Sequence, residues 1–308
     1  MKTLQKTAIS AAAVALLAGL STAAFAADEP AAPEVSPITA NVTVASNYIY
    51  RGITQSNNKP AIQGGFDYAH ESGFYVGNWN SSISWISDSY NAGLPAPATK
   101  SAPATSAPVE MDFYAGFKKE LIGEGFASDF GVLQYYYPTT GLGGVQTQAY
   151  VTANPLYRQI SGTNPSTTEL YAAQNFTFGP VTGFAKFSYA LSNLFGIQKS
   201  AGSFYPDLTA NYDTGFYGIS VNAHVGYQYV PNNVVVNNTQ APGMAGTYNW
   251  SYADWKLGLT KDFGGGLSGT AYYTGTSAQK VGSNYVYGTP NGGNAGRGNA
   301  VVALTKTF

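Results

Sequence analysis

The sequence predicts an all-β protein, a transmembrane antiparallel up-and-down β-barrel of about 12 strands. Three observations carry this prediction: segments that alternate polar and apolar residues recur along the chain, short connections alternate with long ones, and charged residues make up only 10% of the chain. A soluble domain usually carries about 25% charge. Because Lys or Arg at the bilayer midplane costs about 2 to 4 kcal/mol on a barrel's outer face, the low charge favours a surface that contacts lipid.

The N-terminus predicts export. Lys2 and Lys6 precede an apolar run over residues 8–20, and Ala24-Phe25-Ala26 follows as a cleavage site, which together are typical of a signal peptide over residues 1–26. The run is too short for a spanning helix, which needs about 20 residues. Residues 27–39, rich in Pro and Ala, are predicted to be a flexible periplasmic leader, with a partner-binding segment as the alternative. Residues 40–308 then form the barrel, in the outer membrane of a Gram-negative bacterium.

The period-two pattern sets the predicted strands in order. They cover Ala40–Arg51, Ala61–Ala69, Phe74–Ile86, Val109–Lys118, Ala127–Tyr137, Thr167–Phe178, Gly183–Leu191, Phe204–Tyr212, Tyr217–Tyr229, Tyr252–Lys261, Leu267–Thr276 and Asn299–Phe308. The long loops between them contain low-complexity Pro/Ala or Asn/Gly stretches, which are unsuited to strands. An even strand number with this asymmetry predicts short periplasmic turns, long extracellular loops and both termini in the periplasm.

The alternation also assigns the two faces of most strands. Strand four is predicted to turn Phe113 and Phe117 to lipid, and strand three is predicted to do the same with Tyr75 and Trp79 while Asn78 and Asn80 face water. Both faces of strand five are largely apolar, so its inward face stays open. The 24 tyrosines predict aromatic girdles at the two membrane interfaces. Phe308 ends the chain on an aromatic residue and is predicted to be the assembly signal.

The inward faces carry the candidate pore-lining residues. They are Arg51, Asp67, Glu110, Asp112, Glu169, Lys186, Asp207, His224, Asp254 and Lys256. Acidic groups are in excess, which indicates a mild preference for cations. The alternative is that the charges pair with one another and brace a narrow lumen.

Other chemistry finds little support. The chain has no cysteine and only two histidines, His70 and His224, so we expect no catalytic residues, no metal and no cofactor. His224 as the base of a barrel esterase is a weaker hypothesis than His224 as a polar lumen residue. The net charge of −1 argues against nucleic-acid partners.

Two neighbouring stretches suggest a family. Residues 46–56 read SNYIYRGITQS and residues 59–68 read KPAIQGGFDY, and this pair resembles the TorF family of porins, a proteobacterial outer-membrane family formerly of unknown function (Gcw_chp). The chain is similar again at residues 135–138, 169–171 and 252–258, so that the resemblance spans residues 40–308. The resemblance implies an outer-membrane barrel and a porin role, but it supplies no catalytic or ligand residues. Lys306 departs from the usual terminal pattern, where an apolar residue stands.

We therefore predict a porin-like channel for passive diffusion of small hydrophilic solutes or ions, and not an enzyme. The alternative is a non-conducting structural or surface-interaction barrel, and an outer-membrane lipid hydrolase is a distant third. The expected partners are outer-membrane lipid, the barrel assembly machinery during biogenesis, and the solutes or ions themselves.

Overall fold

Twelve antiparallel strands close into one barrel. The computed structural model describes residues 36–91, 105–141, 164–231, 233–236, 246–281, 284–289 and 292–308, so the predicted signal peptide and most of the predicted leader lie outside the described residues. The barrel strands are β1 (Ile38–Ala45), β2 (Ala61–Ala69), β3 (Phe74–Ser82), β4 (Val109–Gly123), β5 (Phe126–Tyr136), β6 (Thr167–Phe178), β7 (Val181–Ala190), β8 (Phe204–Phe216), β9 (Ile219–Gln228), β10 (Tyr252–Gly264), β11 (Leu267–Thr276) and β12 (Asn299–Thr307).

The first and last strands form the seam that closes the barrel. Each strand pairs with its neighbours in sequence, and β1 also pairs with β12, so that Val44 lies opposite Leu304. The Thr43 and Thr305 hydroxyls hydrogen-bond across this seam at 2.8 Å. No strand of this sheet keeps a free edge, which a lipid environment would not tolerate. The predicted fold class is confirmed.

The connections differ sharply in length at the two ends of the barrel. One end has two-residue turns at 124–125, 179–180, 217–218 and 265–266 and a four-residue turn at 70–73, and the other end has six connections that are all longer than these. The predicted asymmetry is confirmed, although several turns are shorter than predicted. Strand β4, for example, continues beyond Lys118 to Gly123 and pairs back through a bulge with Phe126.

Two predicted strands end early. Strand β1 stops at Ala45, so Arg51 does not lie on strand one, and the strand starts at Ile38 inside the predicted leader. Strand β3 stops at Ser82 rather than Ile86, and Trp85–Asn91 forms a short helix, α1. The backbone N–H groups of Ser84 and Trp85 donate to the carbonyl oxygen of Gln55 in the 46–60 connection. This contact turns the chain away from the barrel wall.

The outer face of the barrel is apolar. Large side chains such as Phe66, Phe113, Leu170, Val225 and Trp255 are exposed there, as a lipid-facing surface requires. The predicted orientation of β4 is confirmed, because Glu110 and Asp112 are buried inside while Phe113 faces out. No helix within the described ranges is long and apolar enough to cross a membrane.

The predicted orientation of β3 is wrong. Trp79 lies opposite Gly65 and Asp112, both on inward positions, and its ring contacts Tyr48 with centroids 5.5 Å apart. Asn78 and Asn80 therefore point outward. Their amide groups donate to the backbone carbonyls of Asp112 and Gly64, which satisfies donors that would otherwise face lipid.

The predicted aromatic girdles account for only some of the tyrosines, because others lie inside the barrel. Six of the exposed tyrosines on the outer face are Tyr68, Tyr136, Tyr189, Tyr212, Tyr227 and Tyr273, whereas Tyr75, Tyr114, Tyr135 and Tyr205 are buried inside the barrel. The inward tyrosines donate to lumen carboxylates, as Tyr75 does to Asp129 at 2.6 Å. A phenol serves both environments because its ring is apolar and its hydroxyl is polar.

Candidate functional site: the neck of the barrel lumen

The connection between β1 and β2, residues 46–60, folds inward as a compact hairpin that we call the plug. Ile49–Tyr50 pairs with Ile53–Thr54, and the turn between them places Arg51 at φ 44° and Gly52 at φ 76°. The Asn47 side-chain oxygen accepts hydrogen bonds from the hydroxyls of Thr54 (2.7 Å) and Ser56 (3.0 Å). These bonds within the plug fix the shape of the hairpin.

The plug contacts several strands of the wall. The Tyr48 hydroxyl donates to Glu110 on β4 at 2.5 Å, and the Tyr50 and Tyr135 hydroxyls lie 2.5 Å apart. On another side, the Thr54 N–H donates to the Ala295 carbonyl at 3.0 Å in the connection before β12. The plug therefore crosses the lumen at the end that carries the long connections.

Arg51, at the tip of the plug, contacts barrel strands that are far from β1 and β2. Its guanidinium makes two hydrogen bonds to the Glu169 carboxylate on β6, at 2.7 and 3.0 Å, and a third to the Gln228 side chain on β9 at 2.6 Å. It also lies over the rings of Tyr205 on β8 (4.2 Å) and Tyr50 (4.9 Å). The side chains of Arg51 and Glu169 are only 7% and 3% exposed. We call Arg51, Glu169, Gln228, Tyr205 and Tyr50 the neck.

Gly52 allows the plug to approach the opposite wall. A Cβ atom at this position would lie 2.7 Å from the Asp254 Cβ on β10 and would collide with Thr276 on β11. Its φ of 76° is also the left-handed region that favours glycine. The Arg51-Gly52 pair in the sequence is thus matched to both the turn and the tight fit.

Charge pairing in the neck strengthens these contacts. Burial lowers the pKa of Arg51, but the Glu169 carboxylate beside it outweighs burial, so that the pKa lies above its ordinary value. Burial and the adjacent Glu110 raise the pKa of Tyr48. Arg51 therefore stays charged and Tyr48 stays a hydrogen-bond donor.

A second cluster lies directly beside Tyr205. The His224 ring faces Asp207 with Nδ1 at 3.0 Å and Asp254 with Nε2 at 2.8 Å. Since carboxylates only accept hydrogen bonds, an imidazolium that donates from both nitrogens fits this arrangement. The Tyr205 hydroxyl also donates to Asp254 at 2.8 Å. This hydrogen bond fixes the position of the Tyr205 ring, which the Arg51 guanidinium contacts.

Three further lumen charges, Asp67, Lys186 and Lys256, each contact a tyrosine. The Tyr114 hydroxyl donates to Asp67 at 2.5 Å. Lys186 lies 4.3 Å from the centre of the Tyr171 ring, and Lys256 lies 5.4 Å from that of Tyr272. On the lumen wall, charged groups and tyrosine side chains therefore lie next to one another.

The structure places all ten predicted candidates on the inner side of the barrel, nine of them from strands and Arg51 from the plug. Glu169, Asp207, His224 and Asp254 come together around Arg51 and Tyr205, whereas Asp67 lies apart with Tyr114. That these residues line a conducting path stays a prediction. Within the described parts of the chain, no group of His, Cys, Asp or Glu side chains is arranged to hold a metal ion.

Sequence reasoning missed two inward residues, Asp129, which is buried, and Lys118, whose ammonium nitrogen is buried. Asp129 lies on β5, whose face was left open. Its charge could have decided the question, because an outward carboxylate at that position would face lipid. Lys118 is the last residue of predicted strand four, and at a strand end the alternation of polar and apolar residues does not predict which way a side chain faces.

Comparisons with known proteins give one family and several solved barrels. A family model described as "Bacterial protein of unknown function (Gcw_chp)" matches residues 27–308. No curated protein matches the chain.

Among solved structures, the KdgM porin shares 4% identity over 88% of this chain and 99% of its own, with a TM-score of 0.47. A Pseudomonas aeruginosa FadL homologue shares 11% identity over 88% and 90% of the two chains (TM-score 0.41). Acinetobacter baumannii OccAB1 shares 11% over 90% and 66% (TM-score 0.43). All three TM-scores are below 0.5, so we assign the fold from the strand pairing of this chain and not from these similarities.

Proposed function

The chain belongs to the Gcw_chp family of bacterial proteins of unknown function, and from the geometry of its lumen we propose a porin-like outer-membrane channel whose plug closes it at the neck. The solutes are small and hydrophilic, and they pass by diffusion. The observation that carries the proposal is an inner face rich in polar and charged side chains inside a closed barrel whose outer face is apolar. The resemblance to the TorF family of porins is compatible with this function and stays a prediction.

The inner face beyond the neck suits water and small solutes. Toward the short turns it carries Asn211, Asn222 and Thr260, which hydrogen-bond to one another at 2.8 Å, together with Ser220 and Thr305. Such hydroxyl and amide groups exchange hydrogen bonds with water at little cost. A barrel that served only as a scaffold has no need of so polar an interior.

The contacts in the neck determine how often the channel through the lumen opens. Opening the neck separates the Arg51–Glu169 pair and leaves the buried Glu169 carboxylate without its counter-charge, which disfavours the open state. Opening also breaks the hydrogen bond between Tyr48 and Glu110. We therefore expect wild-type protein to conduct rarely rather than continuously.

The first alternative, a non-conducting structural or surface-interaction barrel, is favoured by the same plug. The Arg51 and Glu169 side chains are only 7% and 3% exposed, and an apolar cluster of Leu194, Val230, Tyr248, Trp250 and Val286 covers the long-connection end. Both features would suit a barrel that never opens. Conduction by a plug-shortened variant separates the two functions.

The test is solute uptake by proteoliposomes that contain either wild-type protein or a variant in which residues 47–58 are replaced by a short Gly-Ser link. The plug-shortened variant should admit small sugars and exclude larger ones in a size-dependent series, and the wild type should admit them far more slowly. Unboiled gel mobility checks that both barrels are folded. A folded plug-shortened barrel that admits nothing would remove the channel function and leave the structural one.

The proposed setting is the outer membrane of a Gram-negative bacterium, reached through a cleaved signal peptide over residues 1–26. Outer-membrane lipid and the assembly machinery are the partners that this location implies. The apolar outer face and the closed sheet support it, because only a closed barrel satisfies strand backbone groups in lipid.

A further inference from the structure

We propose that Glu169, Gln228 and Tyr205 form a binding site for the guanidinium group of a solute, and that Arg51 occupies this site as an internal ligand. The inference rests on the proposed function, since it names the class of solute that opens the channel. Guanidinium-bearing solutes would compete with Arg51 and release the plug. The channel would then respond to the solutes that it carries.

The site has the parts that guanidinium recognition needs. The Glu169 carboxylate receives two parallel N–H donors, at 2.7 and 3.0 Å, and the Gln228 oxygen receives a third at 2.6 Å. The Tyr205 ring lies 4.2 Å from the guanidinium carbon. A planar fork with a delocalised charge matches this combination of a bidentate acceptor and a stacking ring.

The wall prepares the site independently of the plug. Tyr205 is held by its hydrogen bond to Asp254, and Gln228 donates from its amide nitrogen to the backbone carbonyls of Phe204 and Tyr229 at 3.2 Å. Its side-chain oxygen is thereby directed at the guanidinium. Glu169 accepts a hydrogen bond from the Tyr135 hydroxyl on β5 at 3.4 Å. We therefore expect all three residues of the site to keep their positions when Arg51 leaves.

Arg51 reaches the site from a turn that keeps it close. Its φ of 44° is uncommon for a residue other than glycine, and the tether makes its binding intramolecular. A short flexible tether gives an effective concentration of the order of millimolar, and the fixed shape of the plug raises the concentration above that of a flexible tether. A free guanidinium solute therefore has to reach at least millimolar concentrations to compete, and removal of Arg51 should expose the site to lower ones.

Glu169 also sets the selectivity between ligands. A neutral ureido group has the same shape but brings no charge, so the buried carboxylate would stay unneutralised. An ammonium group brings the charge but cannot offer two parallel donors. The expected order of affinity is guanidinium, then ammonium, then urea.

The test uses folded full-length Arg51→Ala protein in detergent, with N-ethylguanidinium as the probe and N-ethylurea as its neutral match. Arg51→Ala should unfold at a lower temperature than wild type, and millimolar N-ethylguanidinium should recover most of the loss, whereas N-ethylurea should not. Adding Glu169→Gln to Arg51→Ala should abolish the recovery. Arg297→Ala removes an exposed arginine and should show neither loss nor recovery.

Equal effects of N-ethylguanidinium and N-ethylurea on Arg51→Ala would overturn the proposal. If Arg51→Ala does not assemble, Arg51→Lys keeps the charge without the fork. N-ethylguanidinium should then stabilise Arg51→Lys at concentrations at least tenfold lower than wild type requires, and equal requirements would overturn the proposal.

Solute uptake separates this proposal from the function on which it rests. If the plug-shortened barrel takes up solute but N-ethylguanidinium has no selective effect on Arg51→Ala, the guanidinium site is refuted and the channel stands. If N-ethylguanidinium selectively recovers Arg51→Ala while the plug-shortened barrel stays closed, the site stands as a binding site and the channel is refuted.

Discussion

Arg51 and Glu169 form a bidentate ion pair, with contacts of 2.7 and 3.0 Å, although 118 positions separate them in the sequence. Arg51 belongs to the plug after β1, and Glu169 lies on β6, which is on the other side of the closed sheet. The pair therefore ties the plug across the lumen. Its loss affects stability and conduction together.

The first prediction concerns the stability of this pair. Glu169→Gln or Arg51→Gln alone leaves one buried charge without its partner and should lower the free energy of unfolding by about 3 to 5 kcal/mol. The double variant should lose less than the sum of the two single losses, because it leaves no unpaired charge. Denaturant titration of the detergent-solubilised proteins measures this. Additive losses would mean that the two groups do not interact in solution.

The second prediction tests the corrected orientation of β3. Trp255 is 45% exposed on the outer face, whereas Trp79 is 2% exposed. Brominated lipids should quench the tryptophan fluorescence of reconstituted wild type, and Trp255→Phe should remove most of that quenching. Trp79→Phe should leave it unchanged. A large loss of lipid quenching in Trp79→Phe would restore the outward orientation that the sequence pattern predicts.

The third prediction concerns closure of the barrel. Deletion of Thr305–Phe308 removes the Thr43–Thr305 hydrogen bond and the pairing of Asn41 with Thr307. The exposed edge that results should prevent insertion into the outer membrane. Lys306→Ala is the matched control, since it keeps the backbone pairing of β12 and removes only side-chain contacts, to the Gly265 carbonyl in a turn and, at 5.5 Å, to the Phe308 ring. Membrane fractionation should find the control in the outer membrane and the deletion outside it.

The fourth prediction concerns ion selectivity in the plug-shortened barrel. Asp67 and Asp112 are buried inside, and each has one carboxylate oxygen with no hydrogen-bond partner in the described structure. Asp67→Asn with Asp112→Asn should move the reversal potential toward anions. High salt should weaken the effect, because the Debye length falls from about 10 Å at 0.1 M to about 3 Å at 1 M.

Glu71→Gln provides the control for that measurement, because Glu71 is exposed in the 70–73 turn. Its neutralisation should leave the reversal potential nearly unchanged. If Glu71→Gln and the double lumen variant shift the potential equally, the selectivity does not arise from the lumen wall.

Much of the barrel could be predicted from alternation alone. The bounds of β2, β6 and β11 agree with the prediction, and Glu169, Asp207 and Asp254 face inward as expected. These strands have one apolar and one polar face, and a one-residue slip would reverse both faces. Charge cost and periodicity therefore lead to the same assignment.

The plug could not be predicted in this way. Val42, Val44, Tyr48 and Tyr50 keep an even spacing, so the pattern continues beyond Ala45 although the strand ends there. Tyr48 and Tyr50 leave the wall because Glu110 and Tyr135, which are distant in sequence, bind their hydroxyls inside the lumen. Long-range contacts of this kind leave no periodic signal.

The orientation of Trp79 also could not be predicted from the sequence pattern. A large apolar side chain is expected to face lipid, but in this chain it packs against a ring of the plug, Tyr48. The outward Asn78 and Asn80 satisfy their amide donors on backbone carbonyls. Hydropathy alone cannot distinguish a tryptophan that faces lipid from one that packs beneath a plug.

The most direct test of plug closure is a single-channel recording of Ile53→Cys/Ala295→Cys combined with Arg51→Ala. The chain has no native cysteine, and Ile53 of the plug packs with Ala295 of the connection before β12 in one buried cluster. The engineered pair is therefore the one disulfide that could tie the plug to this connection. Reduced protein should show frequent openings, because the Arg51 contact is absent, and oxidation should suppress them reversibly. Openings of equal frequency and size in the oxidised and reduced states would contradict closure of the lumen by the plug.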